Sequence, residues 1–179
     1  MALIETLPED DLSPSRFWSL LPAETRVLAA KSLYAHDWGE NPTKREADMT
    51  IMRRMNFREQ AVRQLPVDRR ASYLAGAARP DDSLASSLLL ALHLEHRRAM
   101  LGLFLDTLGI KHHEGLITEE HEIEPPPESR LAEAAEAIVE AFGATDAELY
   151  LVSLLVLDPH TWAGLRPWLA ARRDVLKKA

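Results

Sequence analysis

Two apolar runs near the middle of the chain form the densest hydrophobic pattern in this 179-residue sequence. The first run, 88–94, is interrupted only by His93, and the second, 99–105, is apolar throughout. A helix that is apolar on all sides is a buried one. The polar residues 95–98 between the runs allow two interpretations, a polar belt within one helix or the corner of a helical hairpin. The pattern predicts a central buried helix over 81–108. The residues predicted to lie deepest in the core are Leu92, Leu101 and Phe104.

Similar three- and four-residue spacing of apolar positions, interrupted by cap and stop residues, recurs along the rest of the chain. It predicts an all-α fold of about eight helices, packed as a bundle or as stacked helical hairpins around the central helix. We expect a flexible lead-in over 1–12 and a single all-α domain over 13–179. This domain has an N-terminal helical part at 13–79 and a C-terminal helical part at 80–179.

Cap and stop residues give the boundaries of several predicted helices. Asp81 and Asp82 supply hydrogen-bond acceptors and negative charge at the start of the central helix, and Gly109 tolerates the left-handed backbone that ends it. A further helix is predicted over 128–142, and Asp158 followed by a proline predicts the start of the last one. The buried side of helix 128–142 is predicted to comprise Leu131, Ala134, Ala135, Ile138, Val139 and Phe142.

Residues 110–127 are the exception to the helical pattern and are predicted to form a long acidic loop. They end in three consecutive prolines, which cannot donate backbone hydrogen bonds to a helix or sheet. Alternating positions over 117–124 are compatible with a short strand, but the prolines and the charge favour an extended loop. Loops of this length are uncommon in compact domains and are often functional. We therefore expect this segment to be the most mobile internal one and open to a binding role.

The charges are segregated along the chain, although the net charge is only −7 at neutral pH. Residues 44–79 carry nine Lys/Arg against four Asp/Glu, residues 80–158 carry four against sixteen, and residues 159–179 carry five against one. Oppositely charged patches of this kind serve partner choice and association rate more than affinity. The pattern therefore favours a function in binding.

The absence of cysteine excludes disulfides and thiolate metal ligands. The acidic first residues lack the basic and apolar parts of a signal peptide. Neither central apolar run approaches the ~20 residues that a membrane span needs. We expect a cytoplasmic protein without a membrane partner.

Histidines and glutamates around the central helix are the candidate metal ligands. His93 and His96 are three residues apart, which places both on one side of a helix, and His112 and His113 follow in the acidic loop. Imidazole and carboxylate groups suit zinc, iron or manganese, so one hypothesis is a divalent-metal enzyme built on residues 93–121. The alternative is a core hydrogen bond for His93 and solvated histidines in the loop. The helical Glu-x-x-His pair of di-iron bundles is absent, which favours the alternative; no other cofactor is expected.

Signatures of other catalytic classes are also absent from the sequence. The seven glycines are too far apart to form a phosphate-binding loop, and no serine lies in a nucleophile elbow. These absences favour a protein without catalytic activity.

The basic segment 44–79 supports a hypothesis of nucleic-acid binding. Its arginines could contact phosphates while Phe57 and Tyr73 contact bases. Arginine outnumbers lysine 16 to 5 in the whole chain, so the arginines here also reflect general composition, and nucleic acid is the less favoured partner. The arginines concerned are Arg53, Arg54, Arg58, Arg63, Arg69 and Arg70.

Binding to another protein, or to a second copy of the chain, is the favoured function. Methionine side chains adapt to varied apolar surfaces, and aromatic and arginine residues often carry much of the binding energy at interfaces. The residues predicted to contact the partner are Met49, Met52, Arg54, Arg58, Trp162 and Trp168.

Overall fold

A computed structural model describes residues 12–35, 42–76, 80–117 and 123–176, with side chains up to residue 173. These residues form ten helices and one sheet of two short strands, so the predicted all-α class is confirmed, with ten helices rather than about eight. The predicted lead-in falls almost entirely outside the described residues. The elements are α1 Pro14–Leu20, α2 Ala23–Ala35, α3 Pro42–Met55, α4 Glu59–Gln64, α5 Val67–Ala75, α6 Asp82–His96, α7 Arg98–Leu108, β1 His112–His113, β2 Leu116–Ile117, α8 Glu128–Phe142, α9 Ala144–Leu157 and α10 Leu165–Leu176.

The chain divides into two compact units, with the boundary between His96 and Arg97. The N-terminal unit, Ser13–His96, contains α1 to α6, and the C-terminal unit, which begins at Arg97, contains α7 to α10 and the small sheet. The sequence pattern predicted the boundary between the two helical parts near residue 80, at the start of α6, whereas the boundary between the two units lies at the end of α6. The single domain over 13–179 stays a prediction.

The central apolar segment contains two helices, which corrects the single helix predicted over 81–108. Helix α6 ends at His96, Arg97 has backbone angles φ −134° and ψ 24°, and α7 begins at Arg98. The interruption lets the Arg97 guanidinium reach the Asp146 carboxylate on α9 at 2.5 Å. Of the two interpretations of residues 95–98, one continuous helix is therefore wrong, and the helical hairpin stays a prediction. The deep burial predicted for three residues is confirmed, with relative exposures of 0%, 5% and 0% for Leu92, Leu101 and Phe104.

Helix α2 lies at the centre of the N-terminal unit, where it packs on α5 and α6. Helix α1 packs on α6, and α3 packs on α4, α5 and α6. Phe17 and Trp18 of α1 are fully buried, and the backbone N–H of Ser15 donates to Asp82 at the start of α6 at 2.8 Å. Both apolar burial and a helix-end hydrogen bond therefore hold α1 on α6.

A tyrosine, an aspartate and an arginine join three helices of the N-terminal unit. The Tyr34 hydroxyl donates to Asp48 at 2.8 Å, and the Arg70 guanidinium lies 4.7 Å from the centre of the Tyr34 ring and 3.6 Å from the Asp48 carboxylate. Burial, and secondly the Asp48 charge, raise the pKa of the Tyr34 phenol above its ordinary value. The phenol therefore stays protonated and remains a hydrogen-bond donor at neutral pH.

Two carboxyl groups meet where α3 approaches the start of α6. The Glu46 side chain forms a hydrogen bond with Asp81, and the Asp81 carboxylate also accepts the backbone N–H of Leu84 at 2.9 Å. Burial, then the hydrogen bond with Asp81 and the Asp81 charge, raise the pKa of Glu46 above its ordinary value, while Arg53 acts in the opposite direction. Like charges this close disfavour the form in which both groups are ionised.

Replacing Glu46 with Gln is expected to stabilise the protein at neutral pH. Because the pKa of Glu46 is raised on folding, its contribution is fully present below the ordinary glutamate pKa of about 4.3 and is lost as the pH rises through the folded value. Glu46→Gln keeps the neutral hydrogen-bonding form, so it should gain about 0.2–1 kcal/mol at pH 7, or ~1–3 °C in Tm. Thermal melts at pH 4 and pH 7 should show the gain shrinking at pH 4. The control Glu140→Gln removes an exposed carboxylate elsewhere, and a gain that is the same at both pH values would contradict the expectation.

Helix α8 is the centre of the C-terminal unit, and α7, α9 and α10 pack against it. Its predicted bounds, 128–142, are confirmed, although Phe142 is 38% exposed rather than buried because it is the last residue of the helix. The Phe104 ring of α7 lies 5.5 Å from Tyr150 and 5.7 Å from Trp162, centre to centre. These aromatic contacts of Phe104 form the core of the unit. Gly109 has φ 75° and ends α7 as predicted.

The last helix begins later than its sequence signals predicted. The Asp158 carboxylate accepts the backbone N–H groups of His160 and Thr161 at 3.2 and 3.1 Å, but residues 159–164 form turns and α10 starts at Leu165. A Cβ on Gly164 would lie 2.8 Å from Leu131 of α8. The turns therefore bring the backbone close to α8, and Asp158 caps a turn rather than a helix.

Candidate functional site

Two methionines flanked by arginines, one of them exposed and one half-buried, lie on the solvent-facing side of α3. Spacing of three and four residues places Arg45, Met49, Met52 and Arg53 on one side of this helix, and we call these four residues the α3 outer face. Met49 is 37% exposed, Met52 is half-buried, and both arginines are exposed. The opposite side is fully buried through Ala47 and Ile51, as expected for a helix with one side in the core.

The basic groups of the N-terminal unit differ in how they are neutralised. Ion pairs join Arg63 to Glu59 at 2.5 Å and Lys31 to Asp68 at 2.7 Å. In the part of the chain that the structure describes, no carboxylate forms an ion pair with Arg45. The positive charge of the α3 outer face is therefore only partly compensated within the described residues, with Glu46 acting electrostatically on Arg53.

Arg54 and Arg58, which were predicted to contact a partner, are not part of this face: Arg54 is nine residues from Arg45 and so lies on the other side of α3, and Arg58 follows the helix. Both are exposed. The Arg54 guanidinium approaches the end of α5, where it would lie 3.7 Å from a Cβ on Gly76. A cation at this end of a helix complements the dipole. Arg58 precedes α4, and its carbonyl accepts the backbone N–H of Val62 at 3.2 Å.

Trp162 and Trp168, the other predicted contact residues, both make contacts within the C-terminal unit. Trp162 is 5% exposed and packs on Phe104. Trp168 is half-buried; its indole N–H donates to Glu136 at 2.8 Å, and the Arg172 guanidinium lies 5.3 Å from its ring centre. These tryptophans therefore belong to a different unit from the methionines of α3.

The four candidate metal ligands are divided between the two units. His93 is buried and His96 is exposed at the end of α6, whereas His112 and His113 form strand β1. Among the described residues, no three or more His, Asp or Glu side chains are arranged to hold a metal ion. His121 lies outside those residues, so a site that includes it stays a prediction.

Both ring nitrogens of His112 are engaged in hydrogen bonds. Its Nδ1 accepts the backbone N–H of Gly115 at 3.1 Å, and its Nε2 lies 3.1 Å from the Asp106 carboxylate on α7. Because Nδ1 is an acceptor, Nε2 carries the proton and donates it to Asp106. The ring therefore holds the short sheet against α7, and binding a metal would require one of these two bonds to break.

A tight β-hairpin occupies the start of the segment that was predicted to be an extended loop. Strand β1 pairs with β2 through His112 with Ile117 and His113 with Leu116, and we call His112–Ile117 the hairpin. Glu114 and Gly115 both have positive φ, 50° and 84°, which is the geometry of a two-residue type I′ turn. The signal in the sequence was a glycine between two short stretches that could form strands. The strand considered over 117–124 lies mostly outside the described residues.

The aromatic residues of the nucleic-acid hypothesis contact each other. The Phe57 and Tyr73 rings lie 5.7 Å apart, edge to face, and both side chains are half-buried. A base would need access to a ring face in order to stack. Their geometry is that of a structural contact between the end of α3 and α5.

Comparisons with known proteins give no relative from which a function could be carried over. No protein-family model matches the sequence, and searches of curated proteins and of solved structures found no match. None of the described helices has the length and apolar character that crossing a membrane requires.

Proposed function

We propose that this protein is a non-catalytic helical interaction module that binds another protein molecule through the α3 outer face. The observation that carries this proposal is the position of Met49, which is 37% exposed between exposed Arg45 and Arg53 while the other side of the helix is in the core. Methionine and arginine are enriched at protein interfaces. An apolar centre with charged groups at its edge matches the usual anatomy of such an interface.

The chemistry of the face favours a protein partner that carries both apolar and acidic side chains. Methionine is flexible and fills irregular gaps between apolar groups, and guanidinium groups pair with carboxylates in a two-pronged geometry. A phosphate backbone would satisfy the arginines but would leave the methionines exposed to water. The edge-to-face contact of Phe57 with Tyr73 also gives these two rings a structural role within the unit.

Replacing Met49 with Glu is expected to abolish partner binding without affecting folding. A charge at the centre of an apolar contact should cost about 2 kcal/mol or more of binding energy, or ~30-fold in affinity. Immobilised parent protein and variants would be exposed to an extract of the source cells, and retained proteins quantified. The matched control is Leu28→Glu, because Leu28 is 38% exposed on α2 of the same unit. Both variants should melt within ~2 °C of the parent, since both positions are on the surface.

Three outcomes of this experiment would count against the proposal. Retention that is unchanged by Met49→Glu would remove the α3 outer face from the interaction. Equal loss with Leu28→Glu would show a nonspecific effect of added charge. Tight binding of oligonucleotides with a steep loss of affinity between 50 and 200 mM salt, on the order of 10³-fold, would favour the nucleic-acid hypothesis instead.

A further inference from the structure

The hairpin is held rigidly on α7 by contacts along one side of that helix. Arg98 forms an ion pair with Glu114, and Asp106 binds His112 two turns further on. A Cβ on Gly115 would lie only 2.7 Å from the Leu101 Cβ, and its φ of 84° is unfavourable for any other residue. The turn therefore has a fixed conformation and a fixed position on α7.

This fixed hairpin presents two neighbouring aliphatic side chains to solvent. Leu116 is 48% exposed and Ile117 is 39% exposed, and Leu116 is the most exposed large apolar side chain among the described residues. Neighbouring residues of a strand point to opposite faces, so each face of β2 carries a side chain that is left exposed in the part of the chain that the structure describes. A backbone segment that is already ordered loses little entropy when it binds a partner.

The hairpin and the α3 outer face are complementary in both apolar character and charge. The hairpin combines Leu116 and Ile117 with the Glu114 carboxylate, which is exposed although it also pairs with Arg98. The α3 outer face combines two methionines with two arginines. The C-terminal unit that carries the hairpin, residues 97–179, has a net charge of −5, from nine Lys/Arg and fourteen Asp/Glu, whereas residues 13–96 of the N-terminal unit carry +2, from twelve and ten. Opposite fields of this kind guide encounter and exclude wrong pairings.

We infer that the hairpin of one copy of this chain docks on the α3 outer face of a second copy. This inference rests on the proposed function and names its partner. Two copies related by a twofold axis would make the contact twice, because each copy carries both surfaces. Each patch is small, so the association is expected to be weak and transient, with dimers forming at concentrations on the order of 100 μM.

The absence of cysteine from the chain allows a crosslinking test between copies. One copy would carry Leu116→Cys, a second copy of different tag length would carry Met49→Cys, and the mixture would be oxidised. Disulfide formation needs Cα atoms within about 7 Å. The yield of disulfide-linked mixed dimer should therefore be ~10-fold or more above the yield from the control pair. The control pair is Leu116→Cys with Leu28→Cys, which places a thiol of similar exposure on another helix. Added salt should reduce the mixed product, because it screens the exposed charges.

Sedimentation of cysteine-free protein provides an independent measurement. The parent should form dimers as its concentration rises, whereas Leu116→Asp should remain monomeric and keep its Tm, since Leu116 is on the surface. A strictly monomeric parent, a mixed dimer no more abundant than that of the control pair, or crosslinking only between two Leu116→Cys copies would each overturn the inference. The proposed function is judged separately: Met49-dependent retention of a different protein from extract would support it even if self-association fails.

Discussion

Replacing Leu101 with Asp is expected to destabilise the protein by roughly 4 kcal/mol or more, a large part of the stability of a typical domain. Leu101 is 5% exposed in α7, and it also packs against the hairpin at Gly115. A carboxylate at this position would lose its hydration without gaining a cation. The substitution therefore combines a buried charge with the loss of an apolar contact, which are two of the few changes that cause large destabilisation.

Chemical denaturation followed by circular dichroism measures this effect. The matched control is Ala99→Asp, because Ala99 is exposed in the first turn of the same helix, where an acidic residue is favourable to the dipole. The free energy of unfolding of the control should lie within ~0.5 kcal/mol of that of the parent. A Leu101→Asp variant as stable as this control would show that the α7 core is assigned incorrectly.

Removing the Arg172 side chain is expected to cost about 2–4 kcal/mol, because it leaves a buried carboxylate without its cation. The Glu148 side chain on α9 is only 4% exposed, and its carboxylate accepts the Arg172 Nε–H at 3.1 Å. Arg172 also packs over the Trp168 ring. Arg172→Ala therefore removes both the charge that compensates Glu148 and part of the packing between α9 and α10.

A double substitution separates the charge effect from the packing effect. Glu148→Leu together with Arg172→Leu removes both charges and keeps apolar volume, so it should recover most of the stability lost in Arg172→Ala. Denaturant unfolding of the two variants and the parent provides the comparison. Equal stability of parent and Arg172→Ala, or a double variant no more stable than the single one, would show that the buried pair does not act as described.

Local signals in the sequence were sufficient to predict a helix where its buried side and its two ends depend only on residues of that helix. Helix α8 occupies the predicted range, and Gly109 ends α7 with the left-handed backbone that glycine tolerates. In these cases the apolar spacing and the stop residue agree with each other. By contrast, Thr145 and Glu148 also match a capping pattern, but no side chain caps the start of α9, which follows Gly143. The Glu148 side chain instead turns inward and pairs with Arg172.

The candidate site was predictable in part. Met49 and Met52 were identified from the sequence, and the structure places them together with Arg45 and Arg53 on one side of α3. Trp162 was grouped with them because tryptophan is common at interfaces, but its ring packs on Phe104 within the C-terminal unit. Composition alone does not distinguish a tryptophan of the core from one on the surface.

The sequence by itself determined the all-α class, the positions of most helices and the deep burial of α6 and α7, because these depend on apolar periodicity and local backbone preferences. Only the tertiary structure decided that the central segment is interrupted at Arg97, that His112 anchors a hairpin on α7, and that Leu116 remains exposed. These features depend on contacts between residues distant in sequence, such as Arg97 with Asp146. Such contacts leave no periodic pattern along the chain, so they become visible only when the helices are packed.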